Sequence, residues 1–264
     1  MHIRGKHAIL QKIAFDVRYK YGFTYLDKCG RTMNTIMRQY PEWLVKGDAP
    51  NPQDGRLVSV RNTCSFSFNP YNYNFFLEMP TGGEALTDND VQTFINQVDL
   101  ISRIVNDYLG LDTFTRISFR AWYLFSFDSL SESKNWLSHL GYFSISDKLI
   151  TAFRGEIEAA TMAILLTSTD RKYRLSFNSV ERQAQLNLGE EILTVRASTL
   201  SKDQDKFLRQ QMQAKRRMHL NPEFAAMFDI DAFQEDPISI DPRDFIETSI
   251  DQYSERLTSA AGGK

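Results

Sequence analysis

Apolar and polar residues alternate through positions 7–19, where Ile9, Ile13, Phe15, Val17 and Tyr19 stand against Lys12, Asp16 and Arg18. That is the two-residue period of a half-buried strand. Thr24 then offers an N-cap, and Leu26, Cys29, Met33, Ile36, Met37 and Tyr40 recur every three or four residues until Pro41, which predicts an amphipathic helix. The segment 46–55 is rich in Gly, Pro, Asp and Asn and reads as a loop. Alternation returns over 58–68, with Val58, Val60, Cys64, Phe66 and Phe68 on one face and Ser59, Arg61, Thr63, Ser65 and Ser67 on the other. Asn69-Pro70-Tyr71-Asn72 reads as the turn into a partner strand at 73–79. A long helix starts at Asp88, carries Val91, Phe94, Ile95, Val98, Ile101, Val105, Tyr108 and Leu109 inward, and stops at Gly110. Finally Ile117, Phe119, Ala121, Tyr123 and Phe125 alternate with Arg116, Ser118, Arg120, Trp122 and Leu124. The order through Phe127 is βαββαβ, an α+β unit whose four antiparallel strands carry both helices on one face and leave the other open.

The second half has the same mixture in a different arrangement. Ser129 and Glu132 stand at capping-box spacing before a short helix at 130–140. A strand meander is expected over 156–199, with turns at Asp170-Arg171 and Leu188-Gly189. A polar, charged helix follows at 201–218, then a strand at 224–233, and a last helix opening at Asp241-Pro242 with Phe245, Ile246, Ile250, Tyr253 and Leu257 inward. The expected organisation is a βαββαβ half at 1–127, a connection at 128–147, and a meander with basic and C-terminal helices at 148–264. The two antiparallel halves are expected to pack against one another. The first sheet's open face is predicted to carry Leu57, Phe76, Trp122 and Leu124, an apolar patch that such packing would cover.

Composition narrows the class without naming a chemistry. The 264 residues are 42% hydrophobic and 24% charged, which is globular. The 31 Lys and Arg against 33 Asp and Glu supply no global field to hold nucleic acid or an acidic membrane, so any such binding is local. The opening lacks the unbroken apolar run of a secretory signal, and the longest apolar stretch, 159–166, is too short to span a bilayer. A cytoplasmic protein with no membrane contact is expected. Cys29 and Cys64 each fall on an apolar face and read as packing thiols.

Three constellations could carry chemistry. Asp229 and Asp231 flank Ile230 on a predicted strand, so their carboxylates share one face and could hold a divalent cation through oxygen ligands. The plainer reading is a solvated strand edge, or partners for the Arg-rich helix before it. On that helix Lys206, Arg209, Arg216 and Arg217 form a stripe that could neutralise phosphates, although cations near a helix C-terminus also suit the helix dipole. The open face of the first sheet presents Lys12, Arg18, Arg61, Arg116, Arg120 and Trp122. Arginine with aromatic residues on a bare sheet suits nucleic acid or a small ligand, while burial against another half or a partner chain is the more ordinary fate of such a surface. Ser131-x-x-Lys134 matches a serine acyl-enzyme core, but the motifs that accompany it are missing and the serine sits in a capping box.

The strand Ile13-Ala14-Phe15-Asp16-Val17-Arg18, the helix ending Tyr40-Pro41, the strand Arg116-Ile117-Ser118-Phe119-Arg120 and the late Phe228-Asp229-Ile230-Asp231 before a terminal helix resemble a sporadically distributed family of uncharacterised bacterial proteins. The resemblance implies no particular activity or cofactor. Its patchy distribution implies a gene that travels with mobile elements or antiphage defence. The function expected is that of a non-catalytic binding or regulatory subunit acting with a protein partner or with itself. The alternative is a nucleic-acid-binding or metal-dependent nucleic-acid-processing protein.

Overall fold

The computed structural model describes residues 1–20, 22–46, 53–62, 64–79, 85–142, 151–152, 162–182, 223–237, 239 and 241–260. In chain order the strands are β1 (His2–Ile3), β2 (Lys6–His7), β3 (Ile9–Tyr19), β4 (Trp43–Val45), β5 (Gly55–Ser59), β6 (Ser65–Phe68), β7 (Asn72–Glu78), β8 (Phe114–Phe127), β9 (Met162–Thr167), β10 (Lys172–Arg182) and β11 (Glu223–Glu235). The helices are α1 (Gly22–Gln39), α2 (Asp88–Leu109), α3 (Leu130–His139) and α4 (Pro242–Ala260). Strands β1 and β2 form a small hairpin, and the rest make one antiparallel nine-stranded sheet in the order β4-β5-β6-β7-β3-β8-β11-β10-β9. The fold is α+β.

Within this sheet β6-β7-β3-β8 is the expected βαββαβ unit, and its helices α1 and α2 pack on each other. Helix α2 begins where its capping chemistry dictates. The Thr87 hydroxyl accepts from the Asp90 amide, the Asp90 carboxylate accepts from the Thr87 amide, and Gly110 closes the other end at φ 62. Helix α1 starts two residues before Thr24, so that residue lies in the first turn rather than at the cap. Helix α4 lies against α2 and β8, and α3 against β8, β10 and β11. All four helices cover the same face, because the core rings of the sheet meet side chains from each. Phe119 stacks on Tyr253 of α4, and Phe125 and Phe228 meet Trp136 of α3. Tyr253 is fully within this layer, donating its hydroxyl to the Phe119 carbonyl at 2.6 Å and accepting from the Ala232 amide at 2.8 Å.

Two expectations are corrected. The single strand predicted over 58–68 is a hairpin, β5 and β6, with its turn around Val60 to Asn62. The turn resets the alternation. Leu57 sits opposite Phe66 in the core, not on the open face, while Val58 sits opposite Ser65 on the other side. The second half also does not pack over the open face among the described residues. It joins edge to edge, β11 running beside β8 from Phe224 opposite Phe127 to Glu235 opposite Arg116. Hydrogen-bond continuity satisfies the β8 edge as fully as face packing would bury a patch. The 156–199 meander is described only as the β9–β10 hairpin, whose turn is the expected Asp170-Arg171. The predicted turn at Leu188-Gly189 and the basic helix at 201–218 lie outside the described residues.

Candidate functional site

The face of the sheet opposite the helices is built by alternate residues of β3, β7, β8, β11 and β10. Register places them in rows. Lys12 lies between Glu78 and Trp122, Ala14 between Phe76 and Arg120, and Asp16 between Asn74 and Ser118. Across β8 and β11, Trp122 opposes Asp229 and Arg120 opposes Asp231, and Asp231 opposes Arg174 on β10. Phe228, Ile230 and Ala232 turn into the core, as their alternation with the two aspartates requires.

The charged side chains that β3, β7, β8 and β11 bring to this face are paired. Arg120 makes a fork with Asp229, Nε to Oδ1 at 2.6 Å and Nη2 to Oδ2 at 2.5 Å, and lies 4.5 Å from the Trp122 ring centre. Arg116 donates from Nη2 to Asp231 Oδ2 at 2.7 Å, and its guanidinium covers the Phe233 ring at 4.0 Å. Arg18 donates to Asp16 Oδ2 at 3.1 Å, while Asn72 donates to Oδ1 of the same carboxylate at 2.6 Å. Lys12 sits 4.2 Å from the centre of Phe76 and 4.6 Å from that of Trp122, with Glu78 at 3.7 Å. Trp122 therefore has Lys12 of the neighbouring β3 and Arg120 of its own strand against its ring, and Phe76 meets it edge-on.

These pairs are layered by depth. The side chains of Arg18 and Arg120 are 54% and 43% exposed, whereas those of Asp229 and Asp231 are 12% and 8% exposed. The arginine pairs show donors to solvent above sunken carboxylates, whereas in the Lys12–Glu78 pair the carboxylate is the more exposed group. Burial pushes the Asp231 carboxyl above its ordinary value, outweighing the opposing pull of Arg116, Arg120 and Arg174. The bond to Asp229 raises Arg120 further. Asp231 Oδ1 and Arg116 Nε are buried without a hydrogen-bond partner, which leaves both groups short of their full bonding capacity.

Sequence reasoning placed Arg18, Arg116, Arg120, Trp122 and the Asp229/Asp231 pair correctly on strands, and the structure brings all of them to one face. Arg61 is corrected: it lies exposed in the β5–β6 turn, away from this face. The solvated-edge reading of Asp229 and Asp231 is corrected as well, since β11 is an interior strand and both residues are buried. Their negative charge is met by arginines of β8. Glu235, at the end of β11, pairs with Lys172. Lys206, Arg209, Arg216 and Arg217 lie outside the described residues. Arg174 and Asn72 were missed. Arg174 alternates with Tyr173 and Leu175, a strand signal visible in sequence, but its place beside Asp231 depends on register between strands from distant parts of the chain.

Among the described residues no group of three or more His, Cys, Asp or Glu side chains is arranged to hold a metal ion, and no helix is long and apolar enough to cross a membrane. Cys29 and Cys64 are buried and unpaired, and burial raises both thiols, the state of packing cysteines rather than nucleophiles. No family model, curated protein or solved structure matches the chain.

Proposed function

We propose that the protein acts by binding, as a cytosolic recognition or regulatory subunit whose protein partner docks on the open face around Trp122. One observation carries this reading. Lys12 and Arg120 lie against the half-buried rings of Trp122 and Phe76, Arg18 stands further along the same face, and the carboxylates of Asp16 and Asp229 are sunk beneath the exposed arginines they neutralise. Such a surface fits a partner with an apolar contact ringed by acidic groups. Aromatic and arginine side chains are the usual anchors of such contacts. The resemblance noted in the sequence suggests mobile-element or antiphage defence as the setting.

Nucleic acid is the second reading, favoured by a tryptophan flanked by two cations, a geometry that also suits a stacked base. The paired carboxylates weigh against it. Arg116 and Arg120 are already compensated, so few charges remain to displace counterions from a phosphate backbone.

The test compares the wild type with Trp122→Ala and Lys12→Ala, using Phe23→Ser on the far side as the control. Native mass spectrometry of the protein purified from its host should find one stoichiometric protein companion that both face variants lose and the control retains. Titration with labelled single- and double-stranded DNA and RNA at two salt concentrations should show no binding tighter than micromolar. Tight, salt-sensitive binding abolished by Arg120→Ala would replace the protein-partner reading with the nucleic-acid one. Calcium, magnesium or manganese raising the melting temperature of the wild type but not of Asp229→Asn/Asp231→Asn would assign a cation to that pair.

A further inference from the structure

The two ends of the nine-stranded sheet differ in how their free edges are treated. At one end β4 has three residues, and its brevity limits what can pair with it. At the other, β9 runs for six residues, Met-Ala-Ile-Leu-Leu-Thr, with no charge, proline or glycine. Leu165 and Leu166 are 60% and 47% exposed, although they point to opposite faces. Within the strand itself the charges and prolines that usually guard against strand addition are lacking.

The turn after β9 fixes which backbone groups are free. Ser168 donates to the Arg171 carbonyl at 2.9 Å, so that pair is hydrogen-bonded. Alternation along an antiparallel ladder then makes Leu166 with Tyr173 and Ile164 with Leu175 the bonded pairs. Ala163, Leu165 and Thr167 direct their N–H and C=O groups away from the sheet. Among the described residues no strand pairs with that side of β9.

We infer that a second copy of this chain fills this edge. The two β9 strands would pair antiparallel about a two-fold axis through Leu165 and extend both sheets into one. The register is dictated by symmetry. An axis normal to the sheet keeps each side chain on its own face, which requires the strands to cross on a residue rather than between two. Centred on Leu165, the pairing sets Leu165 opposite its counterpart and Ala163 opposite Thr167. Every outward N–H and C=O of the three residues then finds a partner. Ile164 faces the second copy's Leu166 on the helix side, and Thr167 is the one polar residue of the three on the other, so no like charges meet across the seam. A six-residue edge buries less than the roughly 1,200 Å² of a standard interface, which places this association at the weak, concentration-dependent end.

Sedimentation equilibrium across a wide concentration range tests it. The wild type should pass from monomer to dimer, and amide exchange of Ala163, Leu165 and Thr167 should slow as the dimer forms. Leu165→Pro removes the central outward N–H without touching the β9–β10 ladder, and Leu165→Lys sets two cations on the axis. Each should abolish the dimer while leaving the circular dichroism spectrum unchanged. A wild type that stays monomeric at the highest concentration it reaches overturns the inference, as does a dimer that survives Leu165→Lys. Slowed exchange on β9 only when a synthetic strand peptide is added to a monomer would also overturn it, assigning the edge to a peptide instead.

Discussion

Asp231 shows how one side chain's burial sets its energetics. It bonds Arg116, yet burial disfavours its charge more than the arginines favour it, the regime in which a buried ion pair adds little net stability. Removing one partner still costs, because the other charge stays in place. Asp231→Ala should therefore lower unfolding free energy by about 3 kcal/mol, while Asp231→Asn, which keeps an acceptor for Arg116, should stay within about 1 kcal/mol. Equal losses in urea titrations of the two variants would contradict this. The sign of the pH dependence follows. A carboxyl whose folded pKa lies above its ordinary 3.8 binds protons more readily when folded, so its contribution to stability falls as pH rises from 3.8 through the raised value. The wild type should lose stability relative to Asp231→Asn across that window, and parallel curves would argue against the raised carboxyl. Tyr253 tests the core in the same way. Its hydroxyl serves two backbone groups between β8 and β11, and Tyr253→Phe should cost about 1–3 kcal/mol.

At the scale of elements, start and stop signals and alternation account for most of what forms. The capping box of α2 is complete, and Thr87→Ala should lower stability by about 1 kcal/mol in denaturant titrations, with Thr87→Ser recovering most of it. Helix α3 begins at the Ser129 cap expected from its spacing to Glu132, although the Glu132 carboxylate reaches the Asp128 amide instead. The βαββαβ order was readable because each of its elements carries its own period. The β5–β6 hairpin was not, since Val60 and Cys64 continue the apolar alternation straight through the turn. Binary pattern cannot register a reversal of direction that skips no polar position, and Leu57 and Arg61 were misplaced with it.

For the whole molecule, the consequential junction is the seam between β8 and β11. It ties residues from the first half to residues near the C-terminus along nearly the full length of both strands, and α2 and α4 pack together beside it. The halves should unfold as one unit. Urea transitions followed by tryptophan fluorescence and by far-ultraviolet circular dichroism should coincide, and protease cleavage confined to 128–147 should leave two fragments that co-elute on gel filtration. Fragments that separate, or two resolved transitions, would show the seam to be weaker than its continuous pairing implies.

The amino-acid sequence alone carried the α+β class, the order of the first six major elements and the one-face grouping of Arg116, Arg120 and Trp122, because these depend on periods of two and of about 3.6 that each segment holds within itself. It also placed Asp229 and Asp231 on a common face, but it left them facing solvent at an edge. What converted them into buried partners of Arg120 and Arg116 was the lateral insertion of β11 between β8 and β10. Strand neighbours are chosen by the summed fit of hydrogen bonds and side chains across the whole sheet. No local pattern encodes which distant strand satisfies which edge, so the ion-paired open face and the edge of β9, unpaired among the described residues, emerge only when the chain is folded.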